Sequence, residues 1–478
     1  MHIFGPGMRI VCFLLVSFAL MSCAQRDNEQ TLLSGMFENS DETTIEFTYF
    51  REYLNNDRVV IGLEPGDDNV FSLSIHLDKP LSGWLRVGRT ETPVYLEPGN
   101  KLTAKGDVRN LMETLNYSGA GSDHNNFLVA YQNIIGATVG GNYVSSLAGS
   151  LEPDQFVTLT DSVADIQMQF VENWQQEKSF SPEFNVAVKT RILYERYTLL
   201  LKYPAIYQHA NQLEVPPELT ESYYTFLQDD KLFDDSRLEN LTYTGFLLAY
   251  VDHVQRMEGQ SKDDHSLNQQ IYWTAQEALE GRSRDFVQAL MVGRELSYGI
   301  MDEAQGLFEQ YISGTASNDY KDRVIAIYEK MEQLTKGNPA PQFTMTDIHG
   351  KDISLSDFHG KVVMMDFWAS WCGPCMREMP HMKAIKKEMA DQQDLVFVYV
   401  SIDTDVDAWK NTVERVEIEG VHLNTPGRER GVPALYNVKW IPTFYVIGRD
   451  GKIFDNRPPM PSSGQLQDLL LDALGTDS

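Results

Sequence analysis

The segment Val362-Val363-Met364-Met365-Asp366-Phe367-Trp368, followed by Ala369-Ser370-Trp371 and Cys372-Gly373-Pro374-Cys375, constrains this chain more than any other. An apolar run of strand length enters a tight turn, and two cysteines with two residues between them open a helical stretch. The surrounding pattern alternates. It predicts a buried strand over 361–368, a helix over 373–390 and a second buried strand over 395–402. Runs at 443–447 and 452–455 flank the hairpin signal Gly448-Arg449-Asp450-Gly451, and a helix is predicted over 463–474. That order of elements implies an α/β domain with a central sheet.

The chain has 478 residues and only four cysteines. Cys12 lies in a leader: Arg9 precedes Ile10–Met21, an apolar-to-small run that is too short to cross a hydrocarbon core of ~30 Å. Met8-Arg9 is an alternative start for it. The leader ends in Leu20-Met21-Ser22-Cys23, which resembles a bacterial lipobox. That resemblance implies a signal peptide over residues 1–22 and lipidation of Cys23. A polar tether over 23–30 would follow, on the periplasmic side of the cell envelope. No later segment is long and apolar enough to span a membrane, so any attachment is by the lipid anchor only.

Cys372 and Cys375 then remain as the only thiols. Closing so short a loop adds little chain-entropy stabilisation, so a disulfide there is not a staple. Cys372 falls at a helix start, where unpaired N–H groups and the positive dipole end favour a thiolate, the attacking species. Cys375 shares its helical face and can reach a mixed disulfide. Cys372 is therefore the expected nucleophile and Cys375 the resolving thiol. Half of a zinc site is the competing structure. It would need two more Cys or His ligands at metal spacing, and the ten histidines show no such cluster. Asp366 is a carboxylate in an otherwise apolar strand, where burial raises its pKa, unless it lies at an exposed strand end.

The rest of the chain divides by periodicity. Over 31–118 the period is two, as in Phe71-Ser72-Leu73-Ser74-Ile75, with turn signals such as Glu97-Pro98-Gly99-Asn100. A small antiparallel β-sandwich domain is expected there. Over 119–335 the period becomes helical: Phe156, Leu159, Val163, Ile166 and Phe170 form one predicted apolar stripe, and an all-α domain is expected. Gly337, Pro339 and Pro341 mark a boundary and favour extended backbone, so the last domain spans 336–478. The net charge of −28 excludes a nucleic-acid surface. Most of it lies before Pro339, where 26 basic face 48 acidic residues, against 14 and 20 from there on.

Residues 362–375, together with Glu378-Met379-Pro380, Pro339-Ala340-Pro341-Gln342-Phe343, Leu355–Lys361 and Tyr436–Thr443, resemble the thioredoxin superfamily in its TlpA/ResA branch, which is related to AhpC/TSA proteins. Val94–Leu102 resembles the β-domain set ahead of thioredoxin-like domains in exported lipoproteins. The resemblance implies an α/β thioredoxin-like C-terminal domain, preceded by the β-sandwich and the helical domain. It also implies a thiol–disulfide oxidoreductase with no cofactor and no metal. Asp366 would take the proton of Cys375, and Glu378 would tune the thiols or else be an ordinary first-turn acid. Pro442 would be cis and face the cysteines, Ile441 would pair with substrate backbone, and Trp371 would line the approach. Lys439 and Trp440 flank that loop. Implied partners are disulfide-containing protein substrates and a membrane thiol reductase as electron donor. Apocytochrome reduction during cytochrome c maturation is a candidate role. The Gly-Pro pair favours reduction over oxidation. Competing readings are a thiol peroxidase, which Trp371 and the CxxC disfavour, and a scaffold lipoprotein with a regulatory redox centre.

Overall fold

Residues 31–38 alternate inward and outward, with Leu33 and Phe37 buried, and this alternation makes the first strand one half-buried face of a sheet. Eight strands follow one another here: β1 (Thr31–Glu38), β2 (Ile45–Glu52), β3 (Asp57–Gly62), β4 (Phe71–Ile75), β5 (Leu81–Val87), β6 (Thr90–Leu96), β7 (Lys101–Asp107) and β8 (Asn116–Gly119). They form two four-stranded sheets, in the orders β4-β1-β7-β8 and β3-β2-β5-β6. Leu33, Phe71 and Leu102 of one sheet and Phe47, Leu85 and Leu96 of the other share one core. The sandwich is not wholly antiparallel, because β1 pairs parallel with β7. A parallel pair needs a long crossover, and the excursion through β2–β6 supplies it. The computed structural model describes residues 30–475, apart from 41–42, 53, 55–56, 67–69, 137–139, 230–231, 258–264, 299–300, 315–317, 426 and 429–430. The leader and the expected lipidation at Cys23 lie outside those residues.

Helices follow: α1 (Ser122–Tyr131), α2 (Pro153–Gln175), α3 (Pro182–Ala210), α4 (Leu241–Met257), α5 (Leu267–Ala278), α6 (Gly281–Tyr298), α7 (Met301–Ser313) and α8 (Asn318–Glu332). A short one at Gly141–Leu147 precedes α2. Pro153 opens α2, where its missing N–H has no intrahelical partner to lose, and Glu152 and Gln155 close a capping box. The buried face of α2 is Phe156, Thr160, Val163, Gln167 and Val171, whereas Ile166 is 45% exposed. The expected stripe is thus turned by part of a helical step. Thr160 can go inside because its hydroxyl bonds to the Val157 carbonyl at 2.9 Å.

The last third builds a small hairpin, β9 (Thr344–Thr346) with β10 (Asp352–Ser354), and then a five-stranded sheet. Its elements are β11 (Val362–Trp368), α9 (Gly373–Glu388), β12 (Leu395–Ser401), α10 (Val406–Val416), β13 (Val421–Asn424), β14 (Thr443–Ile447), β15 (Ile453–Asp455) and α11 (Leu466–Gly475). The strand order is β13-β12-β11-β14-β15, with β11 parallel to β12 and antiparallel to β14. Every residue of central β11 is buried. Its alternate residues serve two cores: Val363, Met365 and Phe367 join the core that continues into the helices, and Val362, Met364 and Trp368 join the core under α9 and α11. Residues 337–340 run along the sheet edge, with Gly337 N–H on the Ile453 carbonyl at 2.7 Å and Ala340 N–H on that of Gly451 at 3.0 Å. Arg457 donates to the Ser297 carbonyl at the end of α6 at 3.0 Å, and Leu54, beyond β2, is buried in the helical core. No helix among the described residues is long and apolar enough to cross a membrane.

Candidate active site

At the carboxyl end of β11 the chain must leave the sheet and start α9 within four residues. It does so through a tight turn in which Cys372 N–H bonds to the Ala369 carbonyl at 3.1 Å. Cys372 is the N-cap of α9, with φ −81° and ψ 99°. Its sulfur takes the place that a Ser or Asp oxygen takes elsewhere, accepting the Cys375 N–H at 3.1 Å. Pro374 in the first turn donates nothing and so leaves that geometry undisturbed. Cys372 and Cys375 are joined in a disulfide, with Cα atoms 5.3 Å apart. Cys372 is 4% exposed and Cys375 1%. An amide aimed at Cys372 Sγ favours negative charge there, so a hydrogen-bond donor is already in place at the sulfur that opening this disulfide would free.

Asp366 lies in the middle of β11, on the same face as Met364 and Trp368 and therefore on the side of α9. Its side chain is 3% exposed, and Oδ1 has no hydrogen-bond partner among the described residues. Burial, and secondarily the charge of Glu378, push its pKa well above the ordinary carboxylate range. Its neighbours across the sheet are Phe444 on β14 and Tyr399 on β12. Tyr399 stacks on His422 of β13 at 5.2 Å, and burial together with Asp366 pushes its phenol up.

The remaining expected residues fall around the two sulfurs. The Ile441–Pro442 bond is cis, and the Ile441 carbonyl stands 3.8 Å from Cys372 Sγ. Trp371 is 66% exposed and Trp440 39%, so both indoles face solvent near that carbonyl. Glu378 is turned toward the 461–463 turn: its carboxylate accepts Ser462 N–H at 2.9 Å and Ser462 Oγ–H at 3.0 Å. It fastens that turn to α9, and its charge adds to the rise of the Asp366 pKa.

Four residues were not singled out from sequence. Asp403, 1% exposed just past β12, accepts Ser370 N–H at 2.8 Å, Ser370 Oγ–H at 2.6 Å and Ser401 Oγ–H at 2.7 Å. Asn424 donates to the Ser401 hydroxyl at 3.2 Å and to the Asp403 carbonyl at 3.0 Å. The available signal was the polar pair Ser401 and Asp403 at the carboxyl end of a buried parallel strand, where loops of open α/β sheets gather their functional groups.

The model of the AhpC/TSA family matches residues 336–455. The thiol–disulfide oxidoreductase ResA of Bacillus cereus is 32% identical over 143 residues, spanning 30% of this chain and 81% of that protein. The ResA of Bacillus subtilis is 33% identical over 129 residues, which are 27% of this chain and 70% of the relative. A crystal structure described as a thiol–disulfide oxidoreductase from Bacteroides vulgatus has 33% identity, covers 30% of this chain and 98% of its own, and gives a TM-score of 0.28.

Proposed function

The chain belongs to the ResA-like thiol–disulfide oxidoreductases of the thioredoxin superfamily, and on that premise we propose that it reduces protein disulfides outside the cytoplasm through Cys372 and Cys375. One observation carries the assignment of roles: Cys372 Sγ caps α9 and accepts the Cys375 amide hydrogen bond, and of these two buried residues Cys375 is the less exposed. The Cys372 thiolate attacks one sulfur of the substrate disulfide. The other sulfur leaves as a thiolate, takes a proton, and a mixed disulfide remains on Cys372. Cys375 then passes its proton to the Asp366 carboxylate and attacks Cys372 Sγ, releasing the second substrate thiol. Two electrons have moved to the substrate, and the enzyme is left with the Cys372–Cys375 disulfide. A membrane thiol reductase returns two electrons to it, with Cys23 carrying the lipid that holds the chain at the periplasmic face.

The cis Ile441–Pro442 bond beside Cys372, with Trp371 and Trp440 exposed around it, supports docking of an extended substrate segment at this edge. The Gly373-Pro374 pair supports the reducing direction. Replacing Cys372 by Ser is expected to abolish insulin reduction by the full chain, and Cys375→Ser to trap substrates as mixed disulfides on Cys372. Reduction at the wild-type rate by Cys372→Ser would overturn the assignment.

A further inference from the structure

We propose that Asp403 is a positioning residue for Cys372, clamping the turn before it in the form that the open dithiol requires. The hydrogen-bond accounting around this carboxylate is closed. Ser370 gives it both its N–H and its hydroxyl, and Ser401 gives its hydroxyl. The Ser401 oxygen, having donated, accepts from Asp403 N–H at 3.0 Å and from Asn424 at 3.2 Å. Asn424 is held in turn by the Asp403 carbonyl. Rotating any member breaks a bond of this set, and for the buried members, Ser401 and Asp403, an unpaired polar group costs about 1–3 kcal/mol. The clamp also has a fixed base. Trp368, two residues before Ser370, is tied to the same strand end by Ile402 N–H on its carbonyl at 2.9 Å.

The consequence depends on redox state. With the disulfide closed, the S–S bond itself ties the turn to α9. When it opens, Cys372 is held to α9 by the amide hydrogen bonds of Cys375 and Met376 without the covalent tie. The route from β11 to Cys372 then rests on the Ala369–Cys372 hydrogen bond and on Asp403 holding Ser370. Asp403 therefore stabilises the dithiol form more than the disulfide form. A residue with a merely structural role would stabilise both alike.

The test is the equilibrium of the full chain with glutathione, in which two glutathione thiols reduce Cys372–Cys375 to the dithiol and leave one glutathione disulfide. The inference rests on reading Cys372 and Cys375 as the exchanging pair; failure of the wild-type chain to equilibrate would overturn that reading, and this inference with it. In Asp403→Asn, which keeps the size but puts an amide among donors, the equilibrium constant is expected to move about tenfold toward the disulfide, close to 30 mV for two electrons. Ser370→Ala removes the hydroxyl bond alone and is expected to move it about threefold the same way. The thermal midpoint should fall further in the reduced than in the oxidised form of each variant. An equilibrium constant within twofold of wild type, or equal loss of midpoint in both redox forms, would overturn the inference. Ser370→Ala decides alone if Asp403→Asn does not fold.

Discussion

Asp366 is a carboxyl placed where its charge has no counterpart among the described residues, so replacing it by Asn should make the protein more stable and a worse catalyst. Burial raises its pKa in the folded chain above the unfolded value, near 3.9. Between those two values the folded chain holds a proton that the unfolded chain has lost. The contribution of Asp366 to wild-type stability therefore falls as pH rises through that window and is level above it. The size of the fall follows from the site. An uncompensated buried charge costs roughly 3–5 kcal/mol, against about 1–3 for a neutral group left unpaired like Oδ1, so the charge itself costs about 2 kcal/mol. Asn has the shape of the protonated acid and no charge. The gain in Asp366→Asn should be close to zero near pH 4 and about 2 kcal/mol at pH 8, read from urea unfolding of the oxidised chain at both pH values. Because the same variant has no proton acceptor for Cys375, resolution of the mixed disulfide should slow by about 10²-fold. A gain that does not change with pH, or a less stable variant at pH 8, would refute the buried-charge reasoning.

Glu378→Gln removes the like charge that helps hold the Asp366 pKa up, so the acid limb of the pH–rate profile for disulfide reduction should move to lower pH. A shift to higher pH would exclude that coupling. His422 is buried, holds the Ile418 carbonyl through Nε2 at 2.8 Å, and has its pKa lowered mainly by burial. Its folded pKa lies below the unfolded value near 6.5, so the unfolded chain binds more protons in that window and stability should fall as pH drops below it; His422→Gln should flatten this limb of the thermal-midpoint profile. Arg457→Met removes the hydrogen bond to the Ser297 carbonyl and should cost about 1–3 kcal/mol, with faster proteolytic cleavage near residue 298 as the check.

Local patterns made much of this legible in the sequence. The expected helix over 373–390 is α9 (Gly373–Glu388), and the expected strand over 361–368 is β11 (Val362–Trp368). Cys372 lay at a helix start because Gly and Pro follow it, and Asp366 stood out because its strand neighbours are all apolar. What stayed hidden depends on contacts distant in sequence. Ser370 and Asp403 are 33 residues apart and meet only because β11 and β12 pair in register, Trp368 beside Ser401. Ser462 is 84 residues from Glu378, so nothing local could tell that this acid holds the 461–463 turn. Periodicity put Ile166 on the buried stripe, yet Thr160 and Gln167 went inside, because which arc of α2 is covered is decided by the elements packed on it, α3 foremost, and not by α2 itself.

The strip of backbone over 337–340 acts as a sixth, borrowed strand. A sheet edge left with bare N–H and carbonyl groups recruits another edge, and here the chain blunts its own with the segment that leads out of the helices. This sets where the molecule can be cut. A fragment beginning at Gln342 would keep both cysteines and every residue near them, but would present the open side of β15 to other copies and is expected to self-associate. A fragment beginning before Lys336 would carry its edge guard with it.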